Sequence, residues 1–180
     1  MRPLVITMGD PAGIGPEIIV RAVRERPALL SDLLVAGDVA TLQRALHLTA
    51  SRRDSATGAL MLAEVLSASD LVDVPPGCLA VVQACERLPL VAFGRVDAAA
   101  GHAAADCIRW GARAVLNGQG RALVTAPVHK EALSAAGVDH PGHTEMLQAL
   151  AADHLGVPVT DVPVRMMLSA PGLATVLVSI

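Results

Sequence analysis

The feature that most constrains the fold is an alternation of short β-rich runs with longer helical runs along the whole sequence. Runs of the first kind predict strands at 3–8, 33–37, 79–84 and 122–126, and the last of these is expected to be buried. Runs of the second kind predict helices at 15–26, 38–47, 98–117, 129–136 and 144–154. Strands that alternate with helices indicate a layered α/β fold.

The end of the sequence differs from the rest, because two apolar runs follow each other without a helix between them. Residues 164–169 and 173–180 are parted by Ala-Pro-Gly and predict a hairpin or two adjacent strands. The last run is apolar to its final residue, and a sheet cut there would keep an open edge. We therefore expect 1–180 to be the N-terminal part of a longer protein, without a clear internal boundary. The linker-like stretch 51–58 is expected to be a surface loop.

Composition excludes several classes of function. Apolar residues make up 53% of the chain and charged residues 17%, yet no apolar run is long enough to span a membrane. The first residues lack the pattern of a secretory signal, so we expect a cytoplasmic protein without a membrane partner. The formal net charge of −3, one Phe, one Trp and no Tyr argue against binding of nucleic acid.

Three cysteines, Cys78, Cys85 and Cys107, occur without C-x-x-C spacing. This odd number fits reduced thiols in a cytosolic core better than a disulfide framework or a zinc knuckle.

A glycine-rich segment, "MGDPAGIGPE", joins the first predicted strand to the first predicted helix. Ligand loops of α/β folds often lie at this place. The segment is not a Walker loop, and Ile18 stands where the dinucleotide fingerprint needs its third glycine. Asp10 adds a carboxylate at the end of the strand. Two readings stay open: a ligand-binding loop, or a turn that begins a helix.

A second polar segment, "TAPVHKEALSAAGVDHPGHTEML", follows the strand predicted at 122–126. Lys130 is expected at the start of a helix, where a solvated surface lysine is the commoner interpretation. A positive charge is mildly unfavourable there, however, which favours a role for Lys130 in binding a phosphate or carboxylate. Gly142 allows a ligand to approach the backbone, and His143 and Thr144 supply donors at the start of the next helix. These residues predict a site for an anion.

The rival reading of this segment is a metal site formed by His129, His140 and His143. The Pro-Gly turn between the last two histidines is unlike the helical spacing of zinc enzymes. A second pair, His102 and Asp106, lies four residues apart on the long helix and could ligate a metal or form a surface hydrogen bond.

Five motifs, in this order, resemble the 4-hydroxythreonine-4-phosphate dehydrogenase family, whose members serve the synthesis of pyridoxal phosphate. They are "TMGDPAGIGPEI", "FGRVDAAAGHAAADCI", "LVTAPVHKEAL", "GHTEML" and "VRMMLSAPGLATVLVSI". The resemblance spans nearly the whole chain. Distinctive matches are missing at 51–58 and 153–163.

The resemblance implies a fold like that of isocitrate and isopropylmalate dehydrogenases, incomplete here at its C-terminus, and a homodimer. It implies oxidation of the phosphorylated hydroxy acid 4-(phosphooxy)-threonine with NAD or NADP, followed by loss of CO₂. The family's substrate-binding His-Thr pair falls on His143 and Thr144, and Lys130 lies in a family motif. Catalytic and cofactor-binding residues are not assigned by the resemblance.

The resemblance also implies a divalent metal, Zn, Mg or Co, which would polarise the substrate hydroxyl. The family's metal-binding histidines would begin directly after Ile180, so no ligand is expected within the 180 residues, and these alone would be inactive. Related dehydrogenases of threonate or erythronate 4-phosphate look the same at this level. A phosphate acyltransferase-like enzyme and a non-catalytic anion-binding protein remain as alternatives.

Overall fold

The computed structural model describes residues 2–50 and 59–178, in which five parallel strands form one sheet. The strands are β1 (Leu4–Thr7), β2 (Leu33–Gly37), β3 (Met61–Val65), β4 (Cys78–Gln83) and β5 (Ala122–Thr125). Their order across the sheet is β3-β4-β2-β1-β5, and each neighbouring pair runs parallel. The carboxyl ends of all five strands therefore meet at one edge, where α/β folds bind ligands.

Helices cover both faces of this sheet. They are α1 (Gly15–Glu25), α2 (Val39–Leu48), α3 (Ala98–Leu116), α4 (Lys130–Ala135) and α5 (His143–Leu155). Right-handed connections place α1 and α2 on one face and α3 on the other, because the chain returns across the sheet between β4 and β5. Both α4 and α5 pack against α3, which also contacts β1, β2 and β5. Within the described residues, none of the helices has the length and apolar character needed to cross a bilayer.

The structure confirms most predicted elements and corrects two expectations about the sheet. Strand β3 was not predicted; its outer position leaves Met61 and Glu64 exposed, and its sequence shows no regular alternation. The strand at 122–126 was predicted to be buried, but β5 lies at the sheet edge, and Val124 is 44% exposed. The loop expected at 51–58 lies outside the described residues.

The two apolar runs near the end form an antiparallel hairpin of β6 (Met167–Ala170) and β7 (Leu173–Val176). This confirms the hairpin prediction, although β7 is shorter than the predicted 173–180. Every residue of both strands is exposed, including Leu168 and Leu173. The hairpin is thus an apolar surface that the rest of the described chain does not cover.

A buried acidic side chain joins two strand ends at the carboxyl edge of the sheet. Asp38 follows β2, is fully buried and begins α2. Its carboxylate accepts hydrogen bonds from the Thr41 backbone N–H (2.8 Å), the Thr41 hydroxyl (2.9 Å) and the Gln83 amide at the end of β4 (3.0 Å). The side-chain amide oxygen of Gln83, Oε1, in turn accepts from the Val39 N–H at 2.9 Å. The network satisfies a charge that would be costly to bury alone.

A glycine allows α3 and α4 to approach closely. A Cβ atom at Gly101 would lie 2.5 Å from the carbonyl carbon of Ala132 and 3.0 Å from the Ala136 Cβ. Because backbone cannot move aside as a side-chain end can, we expect Gly101→Ala to lower the free energy of unfolding by about 1–2 kcal/mol. This holds although alanine is favoured over glycine in a helix by about 1 kcal/mol. Urea unfolding followed by the fluorescence of Trp110 measures the change.

Gly111 supplies the matched control on the same helix. A Cβ there would meet the Leu123 Cδ1 at 2.7 Å, which is the flexible end of a side chain. We expect Gly111→Ala to change the unfolding free energy by less than about 1 kcal/mol, because the gain in helix propensity offsets a small rearrangement. Equal losses in the two variants would contradict the close approach of α3 and α4.

Candidate functional site

The glycine-rich segment lies against the end of β5. Gly9 has a φ of 75°, which favours glycine, and a Cβ there would lie 3.0 Å from the Ala126 carbonyl carbon. A Cβ at Gly15 would lie 3.2 Å from the Ala126 Cβ. The Asp10 N–H donates to the carbonyl oxygen of Pro127 at 3.0 Å. The segment is therefore fixed to the chain that leads into the second polar motif.

The side chain of Asp10 has a structural partner within its own turn. It is 7% exposed, and its Oδ1 accepts from the Ala12 N–H at 2.8 Å. The Asp10 carbonyl oxygen accepts from the Gly13 N–H at 3.0 Å. Of the two readings of this segment, the geometry favours a turn that begins α1 over a carboxylate presented to a ligand.

An arginine from another helix donates a hydrogen bond to the backbone of the same turn. Arg44, on α2, donates to the Pro11 carbonyl oxygen at 2.9 Å and to the Val91 carbonyl oxygen at 2.6 Å. Its guanidinium lies 4.0 Å from the centre of the Phe93 ring, a cation–π arrangement. Sequence reasoning missed this residue. Its partners are two backbone carbonyls and a ring from distant segments, and no local pattern indicates them.

The residues predicted to bind an anion lie at the starts of two neighbouring helices. Lys130 is the first residue of α4, and His143 and Thr144 are the first two residues of α5. A Cβ at Gly142, which precedes α5, would lie 3.7 Å from the Lys130 Cε. The lysine side chain therefore passes beside the first turn of α5. The expected places of all three residues at helix starts agree with the structure.

Lys130, Gly142, His143 and Thr144 form a corner where two helices begin. Its electrostatics combine groups that attract an anion with one carboxylate that repels it. The start of α5 carries the positive end of a 13-residue helix, and Gly142 offers no side chain to cap it. Lys130 is exposed and adds a full positive charge. Glu145 lies in the same first turn, and its Oε2 would be 3.2 Å from a Cβ at Gly142. An anion would have to share this turn with the Glu145 carboxylate, which makes the nearby lysine important.

The structure does not support the metal readings of the histidines. Among residues 2–50 and 59–178, no three His, Cys, Asp or Glu side chains are grouped so that they could hold a metal ion. His129 is exposed before α4. His140 instead lines a cavity of about 220 Å³ with Arg109 and Asp153, between α3 and α5.

The pair on α3 also fails as a metal site by the same criterion. His102 and Asp106 both line a cavity of about 350 Å³, which lies between this helix and the loop that carries Glu86 and Leu88. Asp106 is paired with Arg109 at 2.9 Å, an ordinary contact between residues three apart on a helix.

Comparison with known proteins identifies the family of this chain. The family model of the pyridoxal phosphate biosynthetic protein PdxA matches residues 30–180. The chain therefore belongs to the PdxA family.

Two curated relatives carry different names for their substrates. A 4-hydroxythreonine-4-phosphate dehydrogenase from Beijerinckia indica is 37% identical over 140 residues, which cover 78% of this chain and 39% of the relative. A D-threonate 4-phosphate dehydrogenase from Salmonella typhimurium is 38% identical over 140 residues, which cover 78% of this chain and 41% of the relative.

The solved structures agree with the family. The crystal structure of a 4-hydroxythreonine-4-phosphate dehydrogenase from Klebsiella pneumoniae matches with a TM-score of 0.73 and 32% identity, covering 97% of this chain and 49% of that one. The chain thus spans about half the length of the solved structures that it matches. Over the part that this chain covers, the fold predicted from the resemblance is confirmed.

Proposed function

We propose that this chain forms the N-terminal part of a dehydrogenase that oxidises a four-carbon hydroxy acid bearing a 4-phosphate. The observation that carries the proposal is the corner formed by Lys130, Gly142, His143 and Thr144, which combines a helix start, a cation and two donors. Membership of the PdxA family supports it, as do the names of relatives that act on 4-hydroxythreonine-4-phosphate and D-threonate 4-phosphate.

The first task of this chain in the reaction is to hold the charged substrate. Thr144 donates through its hydroxyl, His143 through its ring, and the backbone N–H groups of the first turn of α5 point toward the ligand. Lys130 adds a mobile positive charge that offsets the Glu145 carboxylate. Held at this corner, the substrate keeps its carbinol carbon in a fixed place, which lowers the entropic part of the barrier.

The chemical step needs a hydride acceptor, and a dehydrogenase of this family implies a nicotinamide. A bound NAD or NADP would accept the hydride when the hydroxyl of the acid is oxidised to a ketone, and the proton would pass to solvent or a base. For 4-hydroxythreonine-4-phosphate the product is a β-keto acid, which loses CO₂. The described residues include no group that we assign to the nicotinamide or to this proton.

A divalent metal, Zn, Mg or Co, would polarise the hydroxyl and then the ketone. The donor sets within the described residues do not fit such an ion, since no three suitable side chains converge. We expect its ligands beyond Ile180, and no step is assigned to a metal held by the present residues.

The proposal is tested with the protein translated from the complete reading frame. Purified protein is incubated with a divalent metal, NAD or NADP, and either 4-hydroxythreonine-4-phosphate, threonate 4-phosphate or erythronate 4-phosphate. We expect formation of NADH or NADPH with one of these acids and not with the unphosphorylated acid. Absence of turnover with all three would reject the dehydrogenase.

A homodimer in the cytoplasm is also part of the proposal. The apolar hairpin of β6 and β7 supports it, since contiguous exposed apolar surface marks an interface more often than a free surface. Sedimentation equilibrium of the complete protein is expected to give twice the mass of one chain. A monomer at all concentrations would contradict the dimer.

The contribution of Lys130 can be measured separately from the reaction. We expect Lys130→Met to raise the dissociation constant for the acid phosphate about fivefold, corresponding to about 1 kcal/mol for an exposed ion pair. The effect should shrink as salt is added, because exposed charges are screened. Isothermal titration calorimetry at two salt concentrations is the measurement.

Arg113→Met is the matched control, since Arg113 is an exposed cation on the outer face of α3 and lines a different cavity. It should leave the affinity unchanged. If both variants bind alike, the lysine acts only through the net charge of the protein, and the assignment to the site fails.

A further inference from the structure

Arg44 connects three segments that lie far apart in the sequence. It is a half-buried residue of α2. Its guanidinium donates to the Pro11 carbonyl oxygen in the glycine-rich segment at 2.9 Å, and to the Val91 carbonyl oxygen in the loop before α3 at 2.6 Å. The Phe93 ring of that loop lies 4.0 Å from the same guanidinium. Because a guanidinium donates in a rigid, planar fork, it can hold two carbonyl oxygens at a defined separation.

The loop before α3 is also bonded directly to the glycine-rich segment. The Gly94 N–H donates to the Ala12 carbonyl oxygen at 2.9 Å. Ala12, Val91 and Ala100 pack against one another as a small buried cluster. Arg44 and this cluster together fix the position of the glycine-rich segment relative to α2 and α3.

The neighbouring residue of the same segment is bonded to the chain that leads into α4. The Asp10 N–H, one position before Pro11, donates to the Pro127 carbonyl oxygen at 3.0 Å. Pro127 lies three positions before Lys130, the first residue of α4. The contacts therefore run without a break from the Arg44 guanidinium, through Pro11 and Asp10, to the entry into α4. Because close-packed interiors transmit strain, a displacement of the segment is expected to displace this entry as well.

We infer that Arg44 is a positioning residue for the anion-binding corner, on which it acts through the glycine-rich segment and Pro127. This inference rests on the proposed function. Arg44 makes no contact with the substrate in this account; it keeps Lys130 in the place where its ammonium meets the ligand. The placement matters because a shift of about 1 Å, caused by a change far from the chemistry, can remove a large part of a group's effect.

Hydrogen exchange tests the structural part of the inference in the complete protein. We expect Arg44→Met to raise the exchange rate of the amides at 10–13 about tenfold, because local opening of the segment becomes easier. Arg24→Met is the matched control, since Arg24 also donates two hydrogen bonds, at 2.7 and 3.1 Å, to oxygens at the end of α2. Arg24 lies in the last turn of α1, about 13 Å along the helix from its start. This control should leave the amides at 10–13 protected, and unchanged exchange in Arg44→Met would contradict the inference.

A double-mutant cycle tests the functional part, by calorimetry of the complete protein with 4-hydroxythreonine-4-phosphate and with D-threonate 4-phosphate. We expect Arg44→Met to raise the dissociation constant about threefold, which is less than the about fivefold expected for Lys130→Met. If Arg44 acts through Lys130, the double variant should bind no more weakly than Lys130→Met alone. Independent losses would instead multiply to about fifteenfold and refute this route. Arg24→Met should bind as tightly as the unsubstituted protein.

Arg44→Lys separates position from charge. Lysine keeps the positive charge but lacks the fork that reaches both carbonyl oxygens, so we expect it to bind the acid phosphate as weakly as Arg44→Met. Full affinity in Arg44→Lys would overturn the inference, because the charge alone would then be sufficient. If the unsubstituted protein bound neither acid phosphate, the proposed function would fall and the inference with it. Binding that is insensitive to Arg44 would reject the inference alone.

Discussion

Replacing His143 with alanine is expected to weaken the binding of the four-carbon acid phosphate by about ten- to a hundredfold. His143 is the first residue of α5, beside the Lys130 side chain, and its ring can donate a hydrogen bond to a charged group of the ligand. Such a bond contributes about 1.5–3 kcal/mol, which corresponds to this range of affinity. Isothermal titration calorimetry with 4-hydroxythreonine-4-phosphate and with D-threonate 4-phosphate measures the change.

His47→Ala is the control for this variant. His47 is exposed on the last turn of α2, where its ring lies 3.3 Å from the Gln43 amide. The substitution removes the same ring from the surface without touching the predicted site, so the affinity should stay within about twofold of the unsubstituted protein. Equal and small effects of both substitutions would leave the anion site at α5 without support.

Replacing Asp38 with alanine is expected to lower the free energy of unfolding by about 3 kcal/mol. The substitution removes an N-cap and leaves the Thr41 N–H, the Thr41 hydroxyl and the Gln83 amide without their acceptor. Buried donors that lose a partner each cost about 1–3 kcal/mol, although relaxation and entry of water recover part of the sum. Urea unfolding at neutral pH, followed by circular dichroism, measures the loss.

Asp97→Ala separates the capping effect from the effect of the buried network. Asp97 precedes α3 and is only half-buried, and its side chain accepts a hydrogen bond from the Ala100 N–H at 3.1 Å. Loss of an ordinary cap costs about 1 kcal/mol. If Asp38→Ala costs no more than Asp97→Ala, the bonds to Gln83 and to the Thr41 hydroxyl add nothing to stability.

Local patterns in the sequence were sufficient to predict strands β1, β2, β4 and β5 and the approximate ends of the helices. Pro127 and Gly142 are examples. Pro127 disfavours a helix at the residue before it, and Gly142 directly precedes the first residue of α5, whatever the rest of the fold. The predicted site residues also followed from local sequence, because Lys130, His143 and Thr144 lie directly at helix starts. Their proximity across Gly142 depends on the tertiary structure and could not be predicted from spacing along the chain.

Features that depend on distant contacts could not be predicted. Strand β3 contains Ala63 and Glu64, which have low strand propensity, and its pairing with β4 decides its structure. Arg44 was missed because its partners at Pro11 and Val91 lie 33 and 47 positions away.

The place of β5 at the margin of the sheet has a practical consequence for work with this polypeptide. In the described part of the chain, β5 pairs only with β1, so one row of its amide and carbonyl groups faces outward. Such a margin can accept a further strand from the same polypeptide or from a neighbouring molecule. Concentrated stocks should therefore be checked by light scattering, and the outward-facing amides on this strand should exchange with deuterium sooner than those that pair with β1.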